Sequence, residues 1–134
     1  MEPGNQPLAL NSRARPLWLI VGWLLILLVI FLSLAPVTIE LPVGQGDKLN
    51  HAVAYATLML WFANIYELPV RRGMLAIGFV GLGIALEFVQ GWTGYRTFEV
   101  ADMAADAFGV AAGWALAPPR LPNFLRAIEK FVSY

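Results

Sequence analysis

Apolar residues gather into four runs, at about 17–35, 49–66, 73–92 and 100–117. Each is close to the ~20 residues that an α-helix rising ~1.5 Å per residue needs to cross a hydrocarbon layer ~30 Å thick. The first run is the purest, with no charged residue at positions 17–38. Breakers fall between the runs: Pro36 and Pro42 with Gly44 and Gly46, then Pro69 and Gly73, then Gly91 and Gly94, then Pro118 and Pro119. Beyond them, Phe124, Leu125, Ile128, Phe131 and Val132 share one helical face, while Arg126, Glu129 and Lys130 take another. That pattern predicts a short amphipathic helix lying along a membrane interface. Residues 1–11, rich in Pro, Gly, Asn and Gln, predict an unstructured start. The expected fold is therefore all-α: a polytopic membrane protein, an antiparallel bundle of four transmembrane helices followed by a short C-terminal amphipathic helix.

Composition supports a lipid environment. Hydrophobic residues make up 59% of the chain and charged residues 13%, against roughly 45–50% and 25% in a soluble domain. A length of 134 residues fits one domain. Nine basic residues balance nine acidic ones, so no nucleic-acid partner is implied. The absence of cysteine excludes disulfides and thiolate chemistry.

Basic residues set the expected orientation, because cytoplasmic loops collect them. Arg13 and Arg15, Arg71 and Arg72, and Arg120, Arg126 and Lys130 fall on one side, whereas Lys48 and Arg96 fall on the other. This divides the chain into a cytoplasmic tail at 1–16, a membrane domain at 17–118 and a cytoplasmic interfacial tail at 119–134. A cleaved signal peptide is the alternative for the first run, since Arg13, Arg15, a long apolar stretch and Ser33-Leu34-Ala35 stand in the right order.

Ionisable groups in a membrane are costly, so those present call for a reason. Asp47, His51 and Tyr55 stand four apart and form one stripe, with Lys48 beside it. Glu87 and Gln90 share a face of the third helix; Asp102 and Asp106 share a face of the fourth, with Glu99 one turn earlier. Topology brings these stripes to one depth at the outer ends, with Arg96 in the adjoining loop and Arg96 or His51 as the expected partner of Glu87. Ala101, Ala105, Gly109 and Gly113, together with Gly81 and Ala85, predict close helix contact. The acids outnumber Lys48 and Arg96, so either some are protonated or a cation completes the group. Glu99 and Asp102 have a plainer reading beside a positive helix N-terminus, with Thr97 as the cap. His51 has one as a hydrogen-bonding structural residue.

The series Asp47-Lys48-Leu49-Asn50-His51, Tyr55, Glu87, Gln90, Arg96-Thr97-Phe98, Asp102, Gly109 and Gly113 resembles the VanZ-like family of small bacterial membrane proteins. The resemblance covers about half the chain, from 47 to 113. It implies a multi-pass protein of the bacterial cytoplasmic (inner) membrane, with Asp47, Lys48, His51, Tyr55, Glu87, Gln90, Arg96 and Asp102 as its polar signature. Asp106 stands where the family more often has Asn, and Glu99 where it often has Asp.

The expected function is an outward-facing pocket for a lipid, a lipid-linked envelope precursor or a lipophilic glycopeptide, lined by those residues and Asp106, with a role in glycopeptide susceptibility among its consequences. No cofactor is expected, and the residue spacing matches no metal motif. The alternatives are an interfacial enzyme with His51 as base and Glu87 as acid, and a small transporter or proton relay. Oligomeric state is left open.

Overall fold

The computed structural model describes residues 10–36 and 46–132. Residues 1–9 of the unstructured start expected at 1–11, the connection through Pro42 and Gly44, and Ser133 and Tyr134 lie outside the described residues. The described chain is all-α, in five helices: α1 Arg15–Leu34, α2 Gly46–Ile65, α3 Pro69–Thr93, α4 Val100–Leu116 and α5 Phe124–Val132.

The boundaries follow from local chemistry. Pro16 and Pro69 sit in the first turns of α1 and α3, where a missing N–H costs nothing because helix starts leave those donors unpaired. Pro69 therefore opens α3 four residues earlier than the breaker pattern suggests, and it carries Arg71 and Arg72 into the helix. Gly94, at φ 79°, ends α3 in the left-handed conformation that glycine adopts without strain. The Pro118-Pro119 pair stands just beyond α4.

Helices α2 and α4 run parallel and touch along their backbones. A side chain at Gly109 would collide with the Ala52 carbonyl, and a Cβ at Gly113 would come within 2.5 Å of the Ala56 carbonyl oxygen. Helix α3 lies antiparallel to this pair, and its close-approach residue is Gly83, where a Cβ would meet Asp106 Oδ2 at 2.6 Å. This corrects one expectation: Gly81 and Ala85 are exposed, and a Cβ at Gly81 would touch nothing. Tyr55, Leu58, Met59, Phe62, Phe79 and Val110 form the core. Helix α1 packs more loosely on the outside, its buried contact being Gly22 against the rings of Phe62 and Trp61.

Among the described residues two helices, α1 and α3, are long and apolar enough to cross a membrane. Of the four expected spans these two have the length and composition of one; α2 carries Asp47, Lys48, His51 and Asn64, and α4 is 17 residues long with two aspartates. The outer surfaces are apolar well beyond α1. Besides Trp23 on α1 at 62%, Ile77 on α3 is 77% exposed and Phe108 on α4 70%, and large exposed apolar side chains on several helices suit contact with a membrane or a partner.

The end where α1 begins and α5 lies is tied by polar contacts. Buried Arg72 donates to the carbonyls of Tyr66 (2.9 Å), Ala63 (2.7 Å) and Pro118 (2.7 Å), so a cation closes the C-terminal end of α2, where helix carbonyls lack partners. Asn64 Oδ1 accepts the Phe124 N–H at 3.2 Å and its carbonyl accepts Asn123 Nδ2 at 2.8 Å. Trp18 Nε1 donates to Glu129 at 2.7 Å, and Arg126 pairs with Glu67. Helix α5 is thus docked across the bundle end, with Ile128, Phe131 and Val132 still exposed.

Candidate functional site

The opposite end holds an ionic cluster built by the i, i+4 stripes of α2 and α4. The parallel, glycine-mediated contact of these helices puts position 48 beside 102 and position 51 beside 106. Lys48 donates to Asp102 Oδ1 at 2.5 Å and to Asp47 Oδ2 at 3.3 Å, and it also pairs with Glu99. The ammonium of Lys48 is thus held among three carboxylates.

His51 sits deeper. Its Nδ1 is 2.7 Å from Asp106 Oδ1, while Nε2 lies 3.7 Å from Asp102 Oδ2 and 4.0 Å from Asp47 Oδ1. Asp102 and Asp47 therefore each give one oxygen to Lys48 and present the other to the imidazole. Asp102 and Asp106 are buried, whereas the Asp47 side chain is half exposed at the mouth.

Glu87 comes from α3 and is 1% exposed. Its Oε1 accepts the backbone N–H of Glu99 at 2.6 Å, so a carboxylate from a neighbouring helix satisfies an amide at the start of α4. Glu99 is the N-cap residue and makes no side-chain cap bond, so the local cap expected from Thr97 is replaced by this cross-helix bond. Of the partners expected for Glu87, His51 lies within electrostatic reach, while the hydrogen bond is made to the amide. Glu87 Oε2 is buried without a hydrogen-bond partner. Tyr55 is buried within electrostatic reach of both Asp106 and Glu87.

Two of the proposed residues face elsewhere. Gln90 Nε2 donates to the Ser33 carbonyl at 2.7 Å, and Arg96 Nη2 donates to the carbonyls of Leu32 and Ala35, both at 3.0 Å. Tyr95 joins them through its hydroxyl, 2.5 Å from the Leu34 carbonyl. Together they satisfy the last carbonyls of α1, which a helix end leaves without partners, and fasten α1 to the end of α3. The structure thus unites Asp47, Lys48, His51, Asp102 and Asp106, adds Glu99, sets Glu87 and Tyr55 behind them, and directs these contacts of Gln90 and Arg96 to α1.

Residue spacing alone shows no metal motif, yet folding brings Asp47, His51 and Asp102 together so that one ligand atom from each lies within 4.8 Å of the others. Reasoning from sequence passed over Arg72, Tyr95 and Gly83. For Gly83 a signal existed, since it stands four residues before Glu87 on the same helical face. For Arg72 and Tyr95 there was none, because their partners are backbone carbonyls.

The architecture defines a class: an all-α bundle with an apolar exterior and an ionic cluster at one end. The chain is similar to an uncharacterized protein of Schizosaccharomyces pombe, 33% identical over 107 residues that cover 77% of this chain and 64% of the relative. It therefore spans just under two thirds of that relative's length. No family model and no solved structure matches the chain.

Proposed function

We propose that α1 to α4 all span a membrane, with both termini on the cytoplasmic side, and that the ionic cluster at the outer mouth binds the polar head of an amphiphile. One observation carries this reading: the carboxylates of Asp47, Glu99 and Asp102 gather around the ammonium of Lys48, with Asp106 against His51 and Glu87 against the Glu99 amide behind them, inside a bundle whose outer faces are apolar. Carboxylates accept hydrogen bonds and attract positive charge. The head group that suits them carries amines or sugar hydroxyls, while the exposed faces of α1 and α3 suit its acyl tail.

A lipid, a lipid-linked envelope precursor and a lipophilic glycopeptide all meet this description. The VanZ-like resemblance would place the protein in a bacterial inner membrane and allow a role in glycopeptide susceptibility. The relative described above is fungal, which favours a lipid that any membrane supplies. Mass spectrometry of molecules retained by gently purified protein tests the proposal. The wild-type chain should carry an amphiphile that a Glu99→Gln, Asp102→Asn variant of equal stability loses; an unchanged lipid profile would overturn it.

A second reading, an interfacial enzyme with Glu87 as acid, draws on the His51–Asp106 pair. A carboxylate on Nδ1 orients an imidazole so that Nε2 can act as a base. Turnover of a labelled lipid-linked substrate that disappears in His51→Ala would favour it over simple binding.

A further inference from the structure

We propose that Asp47 Oδ1, His51 Nε2 and Asp102 Oδ2 form a site for one divalent first-row transition-metal ion, oriented from behind by Asp106. The inference stands apart from the amphiphile reading, which needs no metal.

The donor atoms are already sorted for this task. Lys48 draws off Asp102 Oδ1 and Asp47 Oδ2, and the remaining oxygens face the imidazole at 3.7 and 4.0 Å. Three ligands bound at ~2.1 Å around a tetrahedral ion stand roughly 3.4 Å apart, so the two imidazole–carboxylate distances close by a few tenths of an ångström, and the carboxylate oxygens, within 4.8 Å of each other, by up to about an ångström more. Asp47, half exposed at the mouth, has the room to do so.

Asp106 supplies the partner that metal-bound histidines ordinarily have. Its contact with Nδ1 at 2.7 Å favours the tautomer with the proton on Nδ1 and leaves the Nε2 lone pair facing the two carboxylates. A lone pair directed at two anionic oxygens calls for a positive charge between them, which a proton or a metal ion supplies.

A separate observation also calls for a cation. Glu87, 1% exposed and with Oε2 lacking any hydrogen-bond partner, is set against the group, within electrostatic reach of Asp102, His51 and Asp106. The carboxylates of Asp47, Glu87, Glu99, Asp102 and Asp106 outnumber the positive charges that Lys48 and a protonated His51 bring to the group. One imidazole and two carboxylates without a thiolate suit Zn²⁺ or Mn²⁺, and an ion held by three protein ligands keeps a position open toward the mouth.

The test uses the full-length protein in detergent, stripped with a chelator, dialysed and titrated calorimetrically with Zn²⁺ and, separately, Mn²⁺. Wild type should take up about one ion per chain, as a three-ligand site does. His51→Ala should abolish uptake. Asp47→Asn, at an exposed position that spares the fold, should weaken it at least about tenfold, and Asp106→Asn should weaken it about 10–100-fold, the usual effect of losing a histidine's outer partner. Tyr95→Phe, at the α1 contact, should bind as wild type does. The absence of stoichiometric uptake of either ion, or unaltered affinity in both His51→Ala and Asp47→Asn, would overturn the proposal.

Discussion

His51 and Asp106 join α2 to α4 through a 2.7 Å contact between Nδ1 and Oδ1, one turn inside the Lys48–Asp102 pair at the mouth. Because Asp106 is 2% exposed, removing either partner strands a polar group away from water. Asp106→Ala should therefore destabilise the protein by about 1–3 kcal/mol, the cost of an unsatisfied buried group. In a double-mutant cycle with His51→Ala, read by thermal unfolding in detergent, the coupling should fall in the range of about 0.5–3 kcal/mol seen for contacting residues. Additive losses would show that the two side chains do not act as a pair.

Among the described glycines, the parallel approach of α2 and α4 depends most on Gly109, where an added Cβ would meet the Ala52 carbonyl. Gly109→Val must push against the Ala52 backbone, which cannot rotate away as a side chain could, so a loss of about 1–3 kcal/mol from overpacking is expected. The same substitution should separate position 51 from 106. Gly81→Ala meets nothing within 4 Å and should be neutral or slightly stabilising, since alanine favours a helix over glycine by about 1 kcal/mol. Comparing the melting temperatures of the two variants checks the contrast.

Arg72 and Arg71 are adjacent in the chain and opposite in consequence. Arg72→Ala removes donors from three carbonyls at the closed end of the bundle. Hydrogen bonds from a charged donor contribute about 1.5–3 kcal/mol each, and their incomplete additivity still leaves an expected loss above about 3 kcal/mol. Arg71 is exposed and lies over the Tyr66 ring at 5.6 Å, a contact worth no more than about 1 kcal/mol in such a setting. Unfolding of both single variants would separate them, and equal losses would refute the assignment.

These relationships were legible in the sequence to different degrees. The apolar runs located α1 to α4, because a membrane-length helix leaves an unbroken hydrophobic trace. Stripe spacing brought Asp47, His51, Asp102 and Asp106 to one site, because i, i+4 positions share a face whatever the packing partner. Contacts between a side chain and a backbone carbonyl left no such trace: Arg72 reads as one more loop arginine, and Gln90 and Arg96 read as site residues, until the ends of α2 and α1 are in place to receive them. The charge deficit in the cluster was visible as a count, but only the fold showed that two carboxylates and Nε2 converge on one point.

The central claim is that the ionic cluster and the termini lie on opposite sides of a membrane. The chain has no cysteine, so single cysteines introduced at Thr97, in the exposed loop beside the cluster, and at Lys130, exposed on α5, report position without background. In right-side-out membrane vesicles, an impermeant maleimide should label Thr97→Cys at once and Lys130→Cys only after the membrane is permeabilised. Labelling of both from the same side would contradict the account.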